Sequence, residues 1–340
     1  MNWTVLLLLA LLCMAVVSIL LWAAFLRIGL LWAQVEGVTK WRVIRATLII
    51  YFLQLMLPMA ALWMFVQSES LRVIAAIVAL MATFVVPAYF IARSFRIKFW
   101  RAFKAWLPTF ISTGIMWLLC AYLIRPYVFE AFSIPTNSMA PTILGEHLQG
   151  ECAVCGGPAF GSPDPVRPLA IRSTQMICEK HFHLSRVPNV DPKAHDGDRI
   201  LVAKFSQPER WDVIVFRFPS QPETLYVKRL VGLPGELIEI KEGAVWADGK
   251  QLEPPDQINE IEYLSEMPGW LPRLWGTTQR PAKLGPDEYF VLGDFSAAAL
   301  DSRFWEQGDP GHNPFAVPTS YLHGVVTHIY WPPSRWRALQ

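Results

Sequence analysis

Four long apolar runs crowd into the first 130 residues of this 340-residue chain, at about 3–26, 44–66, 72–92 and 107–124. A helix needs about 20 mostly apolar residues to cross a bilayer, and each run comes close to that length with almost no charge. Such a chain has to satisfy two solvents. In lipid, every backbone polar group must be paired inside its own helix. A buried helical core is the alternative, and four such runs in succession argue against it. Residues 3–26 lack a basic leading segment and a small-residue cleavage site, so they read as a retained helix rather than a removable leader. The whole chain is 53% hydrophobic and only 17% charged, too apolar for an ordinary soluble domain. Most of its 27 prolines fall after residue 134, which predicts a loop-rich, mostly β domain there.

Basic residues in short loops set the orientation of membrane helices. The segment before the first run has none. The loop after it carries Arg27, Lys40, Arg42 and Arg45. Between the second and third runs only Arg72 is basic, whereas the next loop carries Arg93, Arg96, Lys98, Arg101 and Lys104. This alternation places the N-terminus outside and predicts that everything after Arg125 is extracytoplasmic. Net charge is +2, and no basic stripe with interleaved aromatics occurs after the runs, so nothing points to nucleic acid.

The chain leaves the last run into Phe132-Ser-Ile-Pro-Thr-Asn-Ser-Met-Ala-Pro-Thr142. Ninety residues beyond Ser138 lies Lys228, within Tyr226-Val-Lys-Arg-Leu-Val-Gly-Leu-Pro-Gly-Glu236. A serine hydroxyl is a weak nucleophile and needs a base within hydrogen-bond reach. A lysine serves only when neutral, which burial among apolar groups promotes. Read as a strand, Tyr226, Lys228 and Leu230 share one face, so Lys228 has apolar neighbours on its own side. A lone lysine is usually a solvated surface group, and a serine before Met and Pro is usually a turn residue. The pair becomes specific through its surroundings.

Those surroundings resemble the type I (leader) signal peptidases in several blocks across roughly residues 125–330. Ile134-Pro-Thr-Asn-Ser-Met-Ala-Pro-Thr142 is similar to the family's nucleophile block, with Ser138 as nucleophile and Thr136 at the oxyanion-hole position beside the Ser138 N–H. Gly197-Asp-Arg-Ile-Leu-Val-Ala-Lys204 and Arg210-Trp-Asp-Val-Ile-Val-Phe216 resemble its paired core strands, except that Trp211 stands where glycine is usual. The Lys228 block matches closely. Gly293-Asp294 and Asp301-Ser-Arg303 resemble the last block, where the family pairs acids and bases; Arg229, Asp294, Asp301 and Arg303 are the candidates. Two departures stand out. Phe295 replaces a usual asparagine, and Ala299 replaces a serine that orients the lysine amine. The resemblance implies a membrane-bound serine endopeptidase that removes signal peptides from exported preproteins, with small residues before the cut and no catalytic cofactor. Ala299 leaves a second reading open, a catalytically impaired scaffold that binds signal peptides or partner proteins.

Cysteines form a separate pattern. Cys13 and Cys120 lie in the apolar runs and read as filler. Cys152-Ala-Val-Cys155 and, after 22 intervening residues, Cys178-Glu-Lys-His181 have the two-residue spacings of a tetrahedral zinc site. His183 is a spare for the fourth position. A closed shell of four ligands would make the zinc structural, in a module inserted relative to the simplest family members. The alternative is a Cys152–Cys155 disulfide with Cys178 free, since the compartment would be oxidising.

The expected architecture is therefore a helical membrane part at 1–125 and an extracytoplasmic, mostly β catalytic domain of signal-peptidase type at 126–340. Within the latter lie the zinc module at 147–190 and a Pro/Trp-rich insertion at 251–285. In that insertion Trp270, Leu271, Leu274 and Trp275 either pack beneath the β domain or anchor at the bilayer boundary. Ser133-Ile134 is placed to pair with an extended substrate strand. The expected location is a bacterial inner membrane, and the expected partners are signal peptides, lipid and the secretion machinery.

Overall fold

The computed structural model describes residues 3–163, 175–187, 190–191, 193–266 and 274–339, apart from 68–71. It divides into two compact units, Met1–Leu123 and Ile124–Gln340. Part of the expected zinc module (164–174 and 188–189) and part of the Pro/Trp insertion, with Trp270 and Leu271, lie outside the described residues.

The first unit is helical: α1 (Trp3–Trp32), α2 (Lys40–Gln67), α3 (Arg72–Phe95), α4 (Phe99–Trp106) and α5 (Thr109–Leu119). A helix covers each of the four apolar runs. Among the described residues, two stretches are long and apolar enough to cross a membrane, Thr4–Trp32 and Phe99–Tyr127. The side chains of 57–67, inside the second run, are outside the described set. The loop assignments change: Arg27 belongs to α1, Lys40, Arg42 and Arg45 to α2, Arg72 and Arg93 to α3, and Arg101 and Lys104 to α4, which leaves Arg96 and Lys98 between helices. Arg101 is not a free loop cation: its guanidinium donates to the carbonyls of Ala33 (2.8 Å) and Gln34 (2.6 Å). These are carbonyls at the end of α1 without an intrahelical partner, so a cation there is favourable. Leu26, Leu30, Ile50, Ile91 and Trp106 pack into this unit's core.

The second unit is β-rich. Its strands are β1 (Phe129–Ser133), β2 (Leu148–Glu151), β3 (Pro158–Gly161), β4 (Gln175–Cys178), β5 (Leu184–Arg186), β6 (Arg199–Ala203), β7 (Val213–Phe218) and β8 (Gln221–Gly232). They continue with β9 (Leu237–Lys241), β10 (Ala244–Ala247), β11 (Lys250–Gln251), β12 (Ala282–Lys283), β13 (Glu288–Leu292), β14 (Val317–Pro318), β15 (Leu322–Trp331) and β16 (Arg337–Ala338). The main antiparallel sheet runs β1-β6-β15-β7-β8-β13-β14, with β16 on β15. Two four-stranded sheets flank it, β11-β10-β9-β12 and β2-β3-β4-β5.

Both faces of the main sheet are covered, which explains the unbroken apolar run Val213–Phe216. Val213 and Val215 enter one core with Ile134, Met139 and Ile200. Ile214 and Phe216 enter the opposite core with Leu230, Val291 and Trp305. Each such side chain contributes on the order of 1.5–3 kcal/mol of burial. A third core lies between the main sheet and the β9–β12 sheet, built from Val231, Ile238, Phe290 and Phe315. In the Pro/Trp insertion, Leu274 is buried and Trp275 packs on this third core, donating Nε1–H to the Trp305 carbonyl at 3.0 Å. For those two residues packing prevails.

Candidate active site

Strand β8 carries Lys228 beneath the loop that follows β1, which carries Ser138. Lys228 Nζ lies 2.7 Å from Ser138 Oγ and 3.0 Å from the Val227 carbonyl. The lysine is only 4% exposed. Burial lowers its pKa to about 8, although the carboxylates of Asp301 and Asp294 pull the other way. The Tyr226 ring, two residues back on the same face, stands 5.4 Å from Nζ. The dyad opens on a cavity of about 530 Å³, whose wall includes Thr136, Met139, Leu225 and the run Ala297–Leu300.

The serine loop is fixed from below by residues that the motif reading passed over. Asn137 is buried beside Ser138. Its side chain donates to the carbonyls of Glu146 (2.7 Å) and Gly161 (3.2 Å) and accepts from Gly145 N–H at 2.8 Å. Asp198 accepts from Leu144 N–H at 2.9 Å and from Arg335 Nε at 2.9 Å. Arg335 comes from the far end of the chain, so no local signal marks it. The glycines of the two Gly-Asp pairs mark close approaches. A Cβ on Gly197 would sit 2.1 Å from the Ile134 carbonyl, and one on Gly293 would sit 2.5 Å from the Ser138 carbonyl. Both motifs therefore need glycine where the Ser138 loop crosses.

The four supporting candidates form two buried ion pairs. Arg229 grips Asp294 through Nε–Oδ1 (2.7 Å) and Nη2–Oδ2 (2.5 Å), and its Nη1 donates to the Trp211 carbonyl at 2.7 Å. Arg303 grips Asp301 through Nε–Oδ1 (2.9 Å) and Nη2–Oδ2 (2.7 Å). Asp301 also accepts from Gly293 N–H at 2.9 Å, tying this pair to the glycine under Ser138. Ser296 does not replace the missing serine. Its hydroxyl accepts from Arg303 Nη1 at 2.7 Å and from Leu264 N–H at 2.8 Å. Ala299 lines the cavity with Ser138 and Lys228. Phe295 N–H donates to the Ser138 carbonyl at 3.2 Å. Trp211, at the usual glycine position, has φ of +73°. That region is costly for a bulky side chain, so the backbone keeps the shape glycine would give it.

Comparisons with known proteins follow this geometry. The family model described as signal peptidase, peptidase S26, matches residues 169–331, which hold Lys228 and both ion pairs. Signal peptidase I V of Bacillus subtilis (strain 168) is 31% identical over 123 residues, 34% of this chain and 70% of that one. This chain belongs to the peptidase S26 family of signal peptidases. Signal peptidase I of Pseudomonas aeruginosa is 26% identical over 204 residues, and the match spans 55% of this chain and 59% of that relative's length. A solved signal peptidase I from Enterococcus faecalis V583 aligns at 27% identity over 36% of this chain and 98% of that one, with a TM-score of 0.27.

This S26 chain carries a cysteine cluster as well. The sulfurs of Cys152, Cys155 and Cys178 lie within 4.8 Å of one another, and none is in a disulfide. Cys155 and Cys178 Sγ are 3.4 Å apart. Four ligands about 2.3 Å from one ion stand only slightly further apart than that. Burial raises the Cys152 thiol, but the backbone amides of Cys155 and Val154 more than offset it and hold it near 5. The structure separates the two candidates for the fourth position. His181, expected there from spacing, turns away to Glu260, with Nδ1 2.7 Å from Oε2. His183 instead puts Nε2 3.2 Å from Cys152 Sγ. The cause is the hairpin from β4 to β5. Cys178 N–H donates to the His183 carbonyl at 3.0 Å, so His183 lies opposite Cys178 while His181 sits in the turn.

Proposed function

We propose that this chain removes N-terminal signal peptides from exported preproteins as a Ser/Lys endopeptidase. The 2.7 Å contact between Lys228 Nζ and Ser138 Oγ carries this reading. With the amine held near 8 by burial, a useful fraction is neutral close to neutral pH. The neutral amine takes the Ser138 proton as Oγ attacks the scissile carbonyl. The Thr136 hydroxyl and the Ser138 N–H meet the developing oxyanion. The amine then returns the proton to the leaving group, and a water that it activates resolves the acyl-enzyme. Ala297, Ala298 and Ala299 in the cavity wall fit small residues before the cut. The dyad contact forms without a serine at 299, so the scaffold reading loses the observation that motivated it.

The alternation of basic segments and the two spanning-length runs support a multi-pass protein of the bacterial inner membrane, with the catalytic unit outside. Lipid, signal peptides and the secretion machinery are then the partners. The donor set Cys152, Cys155, Cys178 and His183 fits a zinc ion. When bound, zinc supplies folding energy rather than catalysis, because four protein ligands leave no open position.

The test is cleavage of a model preprotein by the full chain in detergent. Ser138→Ala and Lys228→Arg abolish it in a folded protein, since arginine cannot give up its charge. Substantial turnover by either variant rejects the dyad. A reporter fused after Arg125 registers outside and one fused near Arg96 registers inside.

A further inference from the structure

The sheet that carries the cysteines has two faces with different duties. Side chains alternate along a strand. On β4, Met176 and Cys178 enter one cluster with Cys152 and Ala159, while Ile177 points the other way. On β3, Ala159 faces the cysteines and Phe160 faces away. The opposite face meets the nucleophile loop and the segment after Asp294: Ile177 and Phe160 pack with Ala140, Leu144 and Phe295, and Ala297 and Ala298 lie against the same cluster. Gly161, at the end of β3, accepts from the Asn137 amide next to Ser138.

We infer that the cysteine module is a clamp whose metal state sets the rate of the peptidase, by holding the Ser138 loop and the Phe295–Ala299 wall in place. The inference rests on the metal reading for its trigger and on packing for its effect. It also accounts for Phe295. An asparagine there would put an amide against Phe160 and Ile177, in an apolar contact where an unpartnered polar group is costly. The phenylalanine fills it, and its backbone N–H still holds the Ser138 carbonyl. Metal on one face of a four-stranded sheet fixes β3 and β4. A fixed β3 and β4 present Phe160 and Ile177 to the wall. The wall in turn keeps water from Lys228, which is the condition for a lowered amine pKa. Phe160 and Ile177 act through other groups and are positioning residues.

The experiment uses the full chain in detergent, as purified and after zinc is stripped with a chelator, beside Phe160→Ala and the milder Phe160→Leu. Three quantities are read: zinc content, kcat and KM on a model preprotein across pH, and the Lys228 titration by side-chain NMR. Stripping zinc from a protein that stays folded lowers kcat about tenfold or more with KM little changed. It also moves the Lys228 titration up from about 8 toward the ordinary lysine value. Phe160→Ala does the same with zinc retained, and Phe160→Leu does so to a smaller degree. Unchanged kcat and unchanged titration after zinc loss overturn the clamp and leave the metal site standing. A protein without zinc rejects the metal trigger, and an unmoved Lys228 titration in both Phe160 variants then rejects the packing coupling too. If the wild type fails to cleave, the proposed function falls, and the titration still decides the clamp.

Discussion

Lys228 and Ser138, ninety residues apart in sequence, meet through a 2.7 Å contact between Nζ and Oγ, with the amine all but sealed from solvent. Burial holds the lysine near 8 rather than its ordinary 10.5. Only the neutral amine accepts a proton, so kcat/KM rises with pH and levels off above about 8. The sign for stability follows from the same shift. Between about 8 and 10.5 the unfolded chain still binds the proton that the folded chain has lost, so stability increases with pH across that window. Lys228→Met removes both effects. Its activity drops by about 100- to 10,000-fold, while its denaturation midpoint at pH 7 is no lower than that of the wild type. A pH–rate limb centred elsewhere, or a destabilised Lys228→Met, contradicts the assignment.

The buried pair Arg229–Asp294 and the exposed pair Arg280–Glu306 are both two-pronged, the first through Nε and Nη2 and the second through Nη1 and Nη2. Their surroundings differ: Asp294 is sealed, whereas the Glu306 side chain is 51% exposed. Asp294→Ala strands a buried guanidinium and costs about 3–5 kcal/mol. Glu306→Ala leaves Arg280 partly exposed and stacked on the Trp275 ring, and costs less than about 1 kcal/mol. Denaturant unfolding of the catalytic unit in the two variants checks the contrast.

Sequence legibility followed the range of the interactions. The dyad was readable because each member sits in a distinctive local block and β8 alternates cleanly around Lys228. The resemblance marked Arg229, Asp294, Asp301 and Arg303 as a group, and the fold supplies which acid meets which base. The roles of Asn137, Asp198 and Arg335 were not, since each depends on partners brought together only by the fold. Arg335 meets Asp198 from 137 residues away. The departure at Phe295 has no local reason in the sequence, because its partners Phe160 and Ile177 come from the β2–β5 sheet. Spacing singled out the three cysteines that cluster but not the imidazole beside them, because His181 and His183 are separated by hairpin register rather than by sequence pattern.

That register makes the two histidines a sharp comparison. His183→Ala removes the imidazole beside Cys152 and lowers zinc content well below one per chain by elemental analysis, with a matching loss of stability because site binding energy is also folding energy. His181→Ala breaks a solvent-open contact with Glu260 and a ring stacking on His183, but removes no group beside the sulfurs, and leaves zinc content unchanged. Equal zinc in both variants contradicts the ligand set.

Ala299 gives the last expectation. It is 4% exposed and shares the cavity wall with Ser138 and Lys228. The neutral amine has two N–H groups and one lone pair. To take the serine proton, the lone pair must turn to the Ser138 hydroxyl 2.7 Å away, while the Val227 carbonyl takes one N–H at 3.0 Å. A serine at 299 supplies an acceptor for the other N–H and narrows the range of amine orientations. One added hydrogen bond contributes about 0.5–1.5 kcal/mol net, so Ala299→Ser raises kcat by up to about tenfold. The new hydroxyl must avoid Gly293, since even a Cβ added there would come within 2.2 Å of the Ala299 Cβ. KM stays near its starting value, because the bond acts on the base rather than on bound substrate. An unchanged kcat means that the Val227 carbonyl and the packing of Tyr226 already hold the lysine. A fall in kcat, with Lys228 titrating at its old value, means that this wall has been reshaped around alanine.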